Sequence, residues 1–161
     1  MRVSVRMRAA ALAGMLAMLA GCDLTELTLQ DRQQEELTWQ RRRWESSGID
    51  SYRYLLQVEC DCPAAEQRPV RIEVRNGQPV SARYYDDGTD ADPQLFARYD
   101  TVEDLFTLID QALRRDGSSV AVLYEDDYYL GYPESAILDY DEFKKGDELS
   151  FVMLTDLEIL H

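Results

Sequence analysis

The amino-acid sequence predicts an α+β fold. A mostly antiparallel sheet of about six strands carries one helix on a face and follows another at the N-terminus. Three observations carry this expectation. Residues 52–60 alternate apolar and polar side chains, the period of a half-buried strand. Residues 102–113 place apolar side chains at i, i+3, i+4 and i+7, the stripe of a helix with one buried face. The elements read in the order α-β-β-β-α-β-β-β, and short connections make neighbouring strands antiparallel.

The first helix is expected over residues 31–47, where Leu37 and Trp44 share a face and Trp39 points elsewhere. Gly48 suits the left-handed residue that ends a helix, with Ile49 as the accompanying apolar contact. The apolar stripe is thin, so packing is expected only through the C-terminal turns. The run Arg41-Arg42-Arg43 reads as a solvated face pairing with Glu36 and Glu45, ahead of a lipid-binding patch. Strand one points Tyr52, Tyr54, Leu56, Val58 and Cys60 at the core. Strand two offers Val70, Ile72 and Val74, and strand three offers Val80, Ala82 and Tyr84. Asn76-Gly77 marks the hairpin between them. Matching the apolar faces selects a three-residue loop with a glycine bulge at Gly77, pairing Ile72 with Val80 and Val70 with Ala82. Residues 86–98 read as a polar loop.

The second helix, 101–115, has the clearest signals. Thr101 suits the N-cap with Asp104 three residues on, and Val102, Leu105, Phe106, Ile109, Ala112 and Leu113 form the buried stripe. Arg114 and Arg115 suit the negative C-terminal end, and Gly117 the residue after it. Three strands follow. Residues 119–124 put Val120, Val122 and Tyr124 on one face. Residues 135–140 follow the turn Gly131-Tyr132-Pro133. Residues 148–154 alternate Leu149, Phe151 and Met153 with Val152 and Leu154. The expected core joins Leu105, Phe106, Ile109 and Leu113 to Tyr54, Leu56, Val58, Ile72, Val74, Val122 and Phe151.

The N-terminus carries an address. Arg2, Arg6 and Arg8 precede an apolar run from Ala9 to Ala20, then small residues and Cys22, the layout of a secretory leader. The run has 12 residues, short of the about 20 that a spanning helix needs. Leu19-Ala20-Gly21-Cys22 resembles the lipobox of bacterial lipoproteins. That resemblance implies diacylglycerol on the Cys22 sulfur, cleavage before Cys22 and acylation of its new amino group. Residues 1–21 are then a leader, 22–30 a tether and 31–161 a single domain. The resemblance thus implies a domain lipid-anchored to the bacterial cell membrane and facing the periplasm or the cell exterior.

Charge restricts the partners. The leader holds three arginines and no acid, so its removal takes the net charge from −14 to −17. Residues 86–161 hold 20 acidic side chains against 5 basic ones. Such a face repels phosphate backbones, which excludes nucleic acid, and it leaves the acyl chains as the membrane contact.

Chemistry-bearing residues are few. Cys60-Asp61-Cys62-Pro63 places two cysteines where strand one ends, in a compartment that favours disulfides. A local Cys60–Cys62 staple is the favoured reading. A redox-active pair is the less favoured one, because Glu59, Asp61 and Glu66 raise a thiol pKa. Structural zinc is not expected, the only histidine being His161. Asp86, Asp87, Asp90 and Asp92 line an acidic loop that is a weak calcium candidate, since its spacing is not that of an EF-hand. Solvated acids are the favoured reading there. Tyr128, Tyr129 and Tyr132 sit on a turn and are the candidate exposed contacts with a partner. No catalytic constellation is found, so no enzymatic activity and no cofactor is expected.

Several of these features recur in one order: Trp44, Tyr52-x-Tyr54, Cys60-x-Cys62-Pro63, Asn76-Gly77, Thr101-Val102-Glu103-Asp104-Leu105-Phe106, Tyr124, Gly131-Tyr132-Pro133 and Asp139. Over most of residues 38–158 the chain resembles a family of bacterial lipoproteins and secreted proteins, domain of unknown function 6174. Residues 125–130 are longer than that pattern's turn. The resemblance implies a small α+β envelope domain and transfers no activity. The expected role is non-enzymatic binding of an unknown envelope protein or ligand, with cation binding as the alternative.

Overall fold

The computed structural model describes residues 28–126, 128–139 and 150–161. The leader, Cys22, Asp127 and residues 140–149 lie outside the described residues, so the expectations placed on them are not addressed. The element order is α1 (Leu29–Ser47), β1 (Tyr52–Glu59), β2 (Val70–Arg75), β3 (Gln78–Tyr84), α2 (Pro93–Phe96), α3 (Val102–Leu113), β4 (Ser119–Tyr124), β5 (Pro133–Asp139) and β6 (Ser150–Ile159). The strands form one six-stranded sheet in the order β3-β2-β1-β6-β5-β4, and every neighbouring pair is antiparallel. The architecture is α+β, with α1 and α3 in contact with each other and α3 against β4 and β5.

Side-chain period explains the core. Tyr52, Tyr54, Leu56 and Val58 of β1 and Val70, Ile72 and Val74 of β2 are all buried. So are all six residues of the α3 stripe. Thr101 caps α3, its hydroxyl accepting from the Asp104 N–H at 3.0 Å. Tyr52 sits under that helix start. Its hydroxyl donates to Glu103 at 3.0 Å and accepts from the Val102 N–H at 2.9 Å, while Trp44 Nε1 donates to Glu103 at 2.7 Å. Helix α3 ends at Leu113 with Arg114 as its cap, so Gly117, at φ 78°, serves the following turn and not the helix end.

Several expectations are corrected. Phe151 was placed in the core, yet Val152 and Leu154 are the buried residues and Phe151 is half-buried. Pairing with β1 sets Leu154 opposite Leu56 and Val152 opposite Val58, and the pleat sends Phe151 to the other face. The β2–β3 hairpin turns on two residues, Asn76 (φ 49°) and Gly77 (φ 71°), both left-handed. The register shift lies beyond the turn. Val74 pairs with Pro79 but Glu73 with Ser81, so Val80 is the extra residue and is 56% exposed. Ile72 then faces Ala82, and Val70 faces Tyr84.

The loop over 86–98 is only partly polar. It contains α2, capped by Asp92, and it contributes buried Ala91 and Phe96 to the core. Helix α1 starts two residues before the expected position, because Thr28 and Asp31 make a reciprocal capping box. It also packs along its whole length. Gln33 donates to the Val120 carbonyl at 2.6 Å and Gln34 to Asp110 at 2.6 Å, so amide hydrogen bonds hold the half that lacks an apolar stripe.

Candidate functional site

An aromatic ridge forms where α1 meets the β4–β5 connection. Trp39 is 53% exposed on the outer side of α1. One turn on, the Arg43 guanidinium lies 4.6 Å from the Trp39 ring centroid and 5.5 Å from that of Tyr129. Arg43 Nε donates to the Tyr129 carbonyl at 3.1 Å, and Nη1 donates to Gln40 at 2.8 Å. Among the described residues Nη2 has no hydrogen-bond partner. The three arginines therefore do not pair as expected. Arg41 lies over the Phe106 ring, Arg43 lies close to two aromatic rings, and among the described residues none of Arg41, Arg42 and Arg43 forms a salt bridge with Glu36 or Glu45.

The connection is built around one buried carboxylate. Glu125, only 3% exposed, accepts the backbone N–H groups of Tyr128, Leu130 (2.9 Å) and Gly131 (3.4 Å). Gathering three donors on one anion folds the loop back and turns two tyrosines outward. Tyr128 is 78% and Tyr129 76% exposed, and Tyr129 holds a left-handed φ of 58°. Gly131 (φ 75°) lets the loop meet α1, since a Cβ there would lie 2.4 Å from Gln40 Oε1. Tyr132 is corrected: it is buried, packing edge-on against Trp44 at 6.1 Å, and is no exposed contact. The sequence alone did not single out Glu125, one acid among many, and it placed Trp39 and Arg43 apart from the turn.

The cysteine corner follows β1. The sulfurs of Cys60 and Cys62 are in close contact, with Cα atoms 5.2 Å apart. The turn from Pro63 to Glu66, closed by a backbone hydrogen bond of 2.8 Å, brings Glu66 back to them. Glu66 is buried, receives a hydrogen bond from the Tyr99 hydroxyl on Oε1, and has Arg98 Nη2 at 3.8 Å from that same oxygen. Burial, and next the Glu66 carboxylate, push the Tyr99 hydroxyl pKa well above its usual value.

The acidic loop is tied up internally. Arg68 pairs with both Asp86 and Asp87, while Arg83 pairs with Asp90 at 3.1 Å. Asp92 accepts the Gln94 N–H at 3.0 Å as the α2 cap. Hydrogen bonds from Thr89, then Arg68, hold the Asp87 carboxyl down at about 2. Asp86 and Asp87 share Arg68 while Asp90 and Asp92 turn elsewhere, and among the described residues no three of these carboxylates lie within 4.8 Å of one another.

Among the described residues, no helix is long and apolar enough to cross a membrane. No curated protein and no solved structure matches the chain. A family of unknown function, DUF6174, matches residues 36–158, from within α1 almost to the end of β6. The chain therefore belongs to that family of unknown function.

Proposed function

We propose that this chain is a membrane-anchored binding domain of the bacterial cell envelope. It is exported by its leader, lipidated at Cys22, stapled by an oxidised Cys60–Cys62 pair, and engages an envelope protein through Trp39, Arg43, Tyr128 and Tyr129. The observation that carries this reading is the Glu125 carboxylate, which accepts three backbone N–H groups from the stretch that bears two exposed tyrosines, beside an arginine close to two rings. Aromatic and arginine side chains are enriched at the centres of protein interfaces. Contacts that position such side chains before binding lower the entropy lost on binding.

Two experiments test it. Cells expressing Cys22→Ala are fractionated, and the expected outcome is loss of membrane association with a larger apparent mass. Unchanged association and size would remove the anchor. Cross-linking in intact cells compares the wild type with a Trp39→Ala, Tyr128→Ala, Tyr129→Ala variant. The expected outcome is one adduct, present in the wild type and absent in the variant, with the melting temperature preserved. An adduct that survives the triple change would move the partner surface elsewhere. Cation binding by the acidic loop is the other reading, and no contact in that loop favours it. Melting with excess calcium and with chelator is expected to show no difference, whereas a ligand at 100 times its dissociation constant adds about 2.7 kcal/mol.

A further inference from the structure

We propose that the corner formed by Cys60, Cys62 and Glu66 becomes, when its cysteine pair is reduced, a three-ligand site for a thiophilic divalent cation such as zinc. The two sulfurs and a Glu66 carboxylate oxygen all lie within 4.8 Å of one another. Tetrahedral zinc with bonds of about 2.3 Å to sulfur and about 2.1 Å to oxygen needs ligand separations of about 3.6–3.8 Å. The present separations are within about 1 Å of that range at their upper bound, so the site asks for side-chain adjustment once the sulfurs part.

Glu66 is already placed for the role. It is 8% exposed, and the contacts from Tyr99 and Arg98 both fall on Oε1, so Oε2 is the oxygen to ligate. A ligating carboxylate held by a second residue in this way is the usual support of a metal site. The surrounding charge points in the same direction. Glu59 and Asp61 flank the cysteines, and their negative field disfavours a free thiolate but favours a bound cation. The acidity that argues against a thiol nucleophile here therefore argues for a metal. A fourth position is left to water.

The chemistry balances in two steps. A dithiol or phosphine reductant gives two electrons to the Cys60–Cys62 bond, and two protons from solvent complete the thiols. The dithiol becomes a disulfide, or the phosphine becomes its oxide with oxygen from water. Zn²⁺ then displaces both thiol protons to solvent and forms two Zn–S bonds and one Zn–O bond. The oxidised chain has no thiolate to offer, so the redox state of the pair gates the site. This inference does not rest on the aromatic ridge, and either can fail alone.

The test uses the full mature chain under anaerobic conditions, oxidised or phosphine-reduced, titrated with Zn²⁺ against a chromophoric chelator and separately with Co²⁺. The reduced wild type is expected to take one Zn²⁺ and to show thiolate-to-cobalt charge-transfer absorption. The oxidised wild type should do neither, and it serves as a control that needs no substitution. Glu66→Gln, which keeps the side-chain shape, should weaken Zn²⁺ binding at least about tenfold. Cys60→Ser should remove the charge-transfer band. A reduced wild type that binds no tighter than the oxidised chain overturns the site. Equal affinity of wild type and Glu66→Gln overturns the carboxylate ligand and with it the three-ligand assignment.

Discussion

Asp100 is half-buried before α3, and its carboxyl is pushed up to about 6, first by burial and then by hydrogen bonding and repulsion from Asp104. Its ordinary value is 3.8. Between those two values the native chain keeps a proton that the unfolded chain has released. The contribution of Asp100 is therefore fully present below that window, falls as pH rises through it, and levels off above about 6. Asp100→Asn removes the fall. Urea midpoints should show the variant more stable than wild type at pH 7, with the gap closing near pH 4. A constant gap at both pH values would assign the effect to something other than this proton. Glu125 organises its own loop, its side-chain oxygens accepting from Tyr128, Leu130 and Gly131 together. Glu125→Gln replaces an acceptor oxygen with an amide donor, and a lost hydrogen bond to a charged group costs about 1.5–3 kcal/mol. Hydrogen exchange should speed up at the Leu130 and Gly131 amides while α3 stays protected. Unaltered exchange at those amides would show that the loop stands without the carboxylate.

Among the helices, α3 buries the most side chains. Phe106 is fully buried between the Arg41 guanidinium, 5.5 Å above its ring, and Tyr124, stacked at 6.4 Å. Removing a buried phenylalanine side chain costs about 3–5 kcal/mol, and domains of this kind have about 5–15 kcal/mol in all. Phe106→Ala should therefore lower the urea midpoint by about a fifth or more, or leave no folded protein. A loss under about 1 kcal/mol would show that neighbouring side chains close the cavity. Helix α1 shows a second way of joining a core. Leu37 and Trp44 enter it as apolar side chains, while Gln33 and Gln34 reach across to β4 and α3 with their amides. A hydrophobic stripe reports only the first of these. The β2–β3 hairpin makes a similar point about register. Asn-Gly turns alone would set Ile72 against Ser81, and the bulge at Val80 restores apolar pairing one residue along.

Across the whole molecule the last strand is the most consequential. Strand β6 ends the chain but lies between β1 and β5, near the middle of the sheet. Without it the sheet divides into β3-β2-β1 and β5-β4, and the buried side of β1 loses Val152 and Leu154. A chain stopped before Ser150 should lose cooperative unfolding, which circular dichroism during urea titration reads directly. A sharp transition in the truncated chain would mean that the two remaining groups of strands fold on their own. Pairing residues 52–59 with residues 151–159 also closes a loop of about a hundred residues, so this contact is entropically demanding and should slow folding.

The sequence by itself determined the fold class, the element order apart from α2, the α3 stripe and the buried faces of β1 and β2, because local period reports which side chains share a face. It also carried the family resemblance, since ordered motifs such as Cys60-x-Cys62-Pro63 and Gly131-Tyr132-Pro133 need no coordinates. Tertiary structure alone decided which face is the core when both are apolar. Phe151 and Val152 differ only in what β1 sets opposite them. It alone decided that Tyr132 is buried against Trp44, which lies 88 residues earlier, while Tyr128 and Tyr129 are exposed. It likewise brought Arg43 to Tyr129 and Glu66 to the two cysteines and Tyr99. The physical reason is the same in each case. Face periodicity is a property of neighbours in the chain, whereas these sites are made by side chains from different elements that meet only after the sheet and helices have packed.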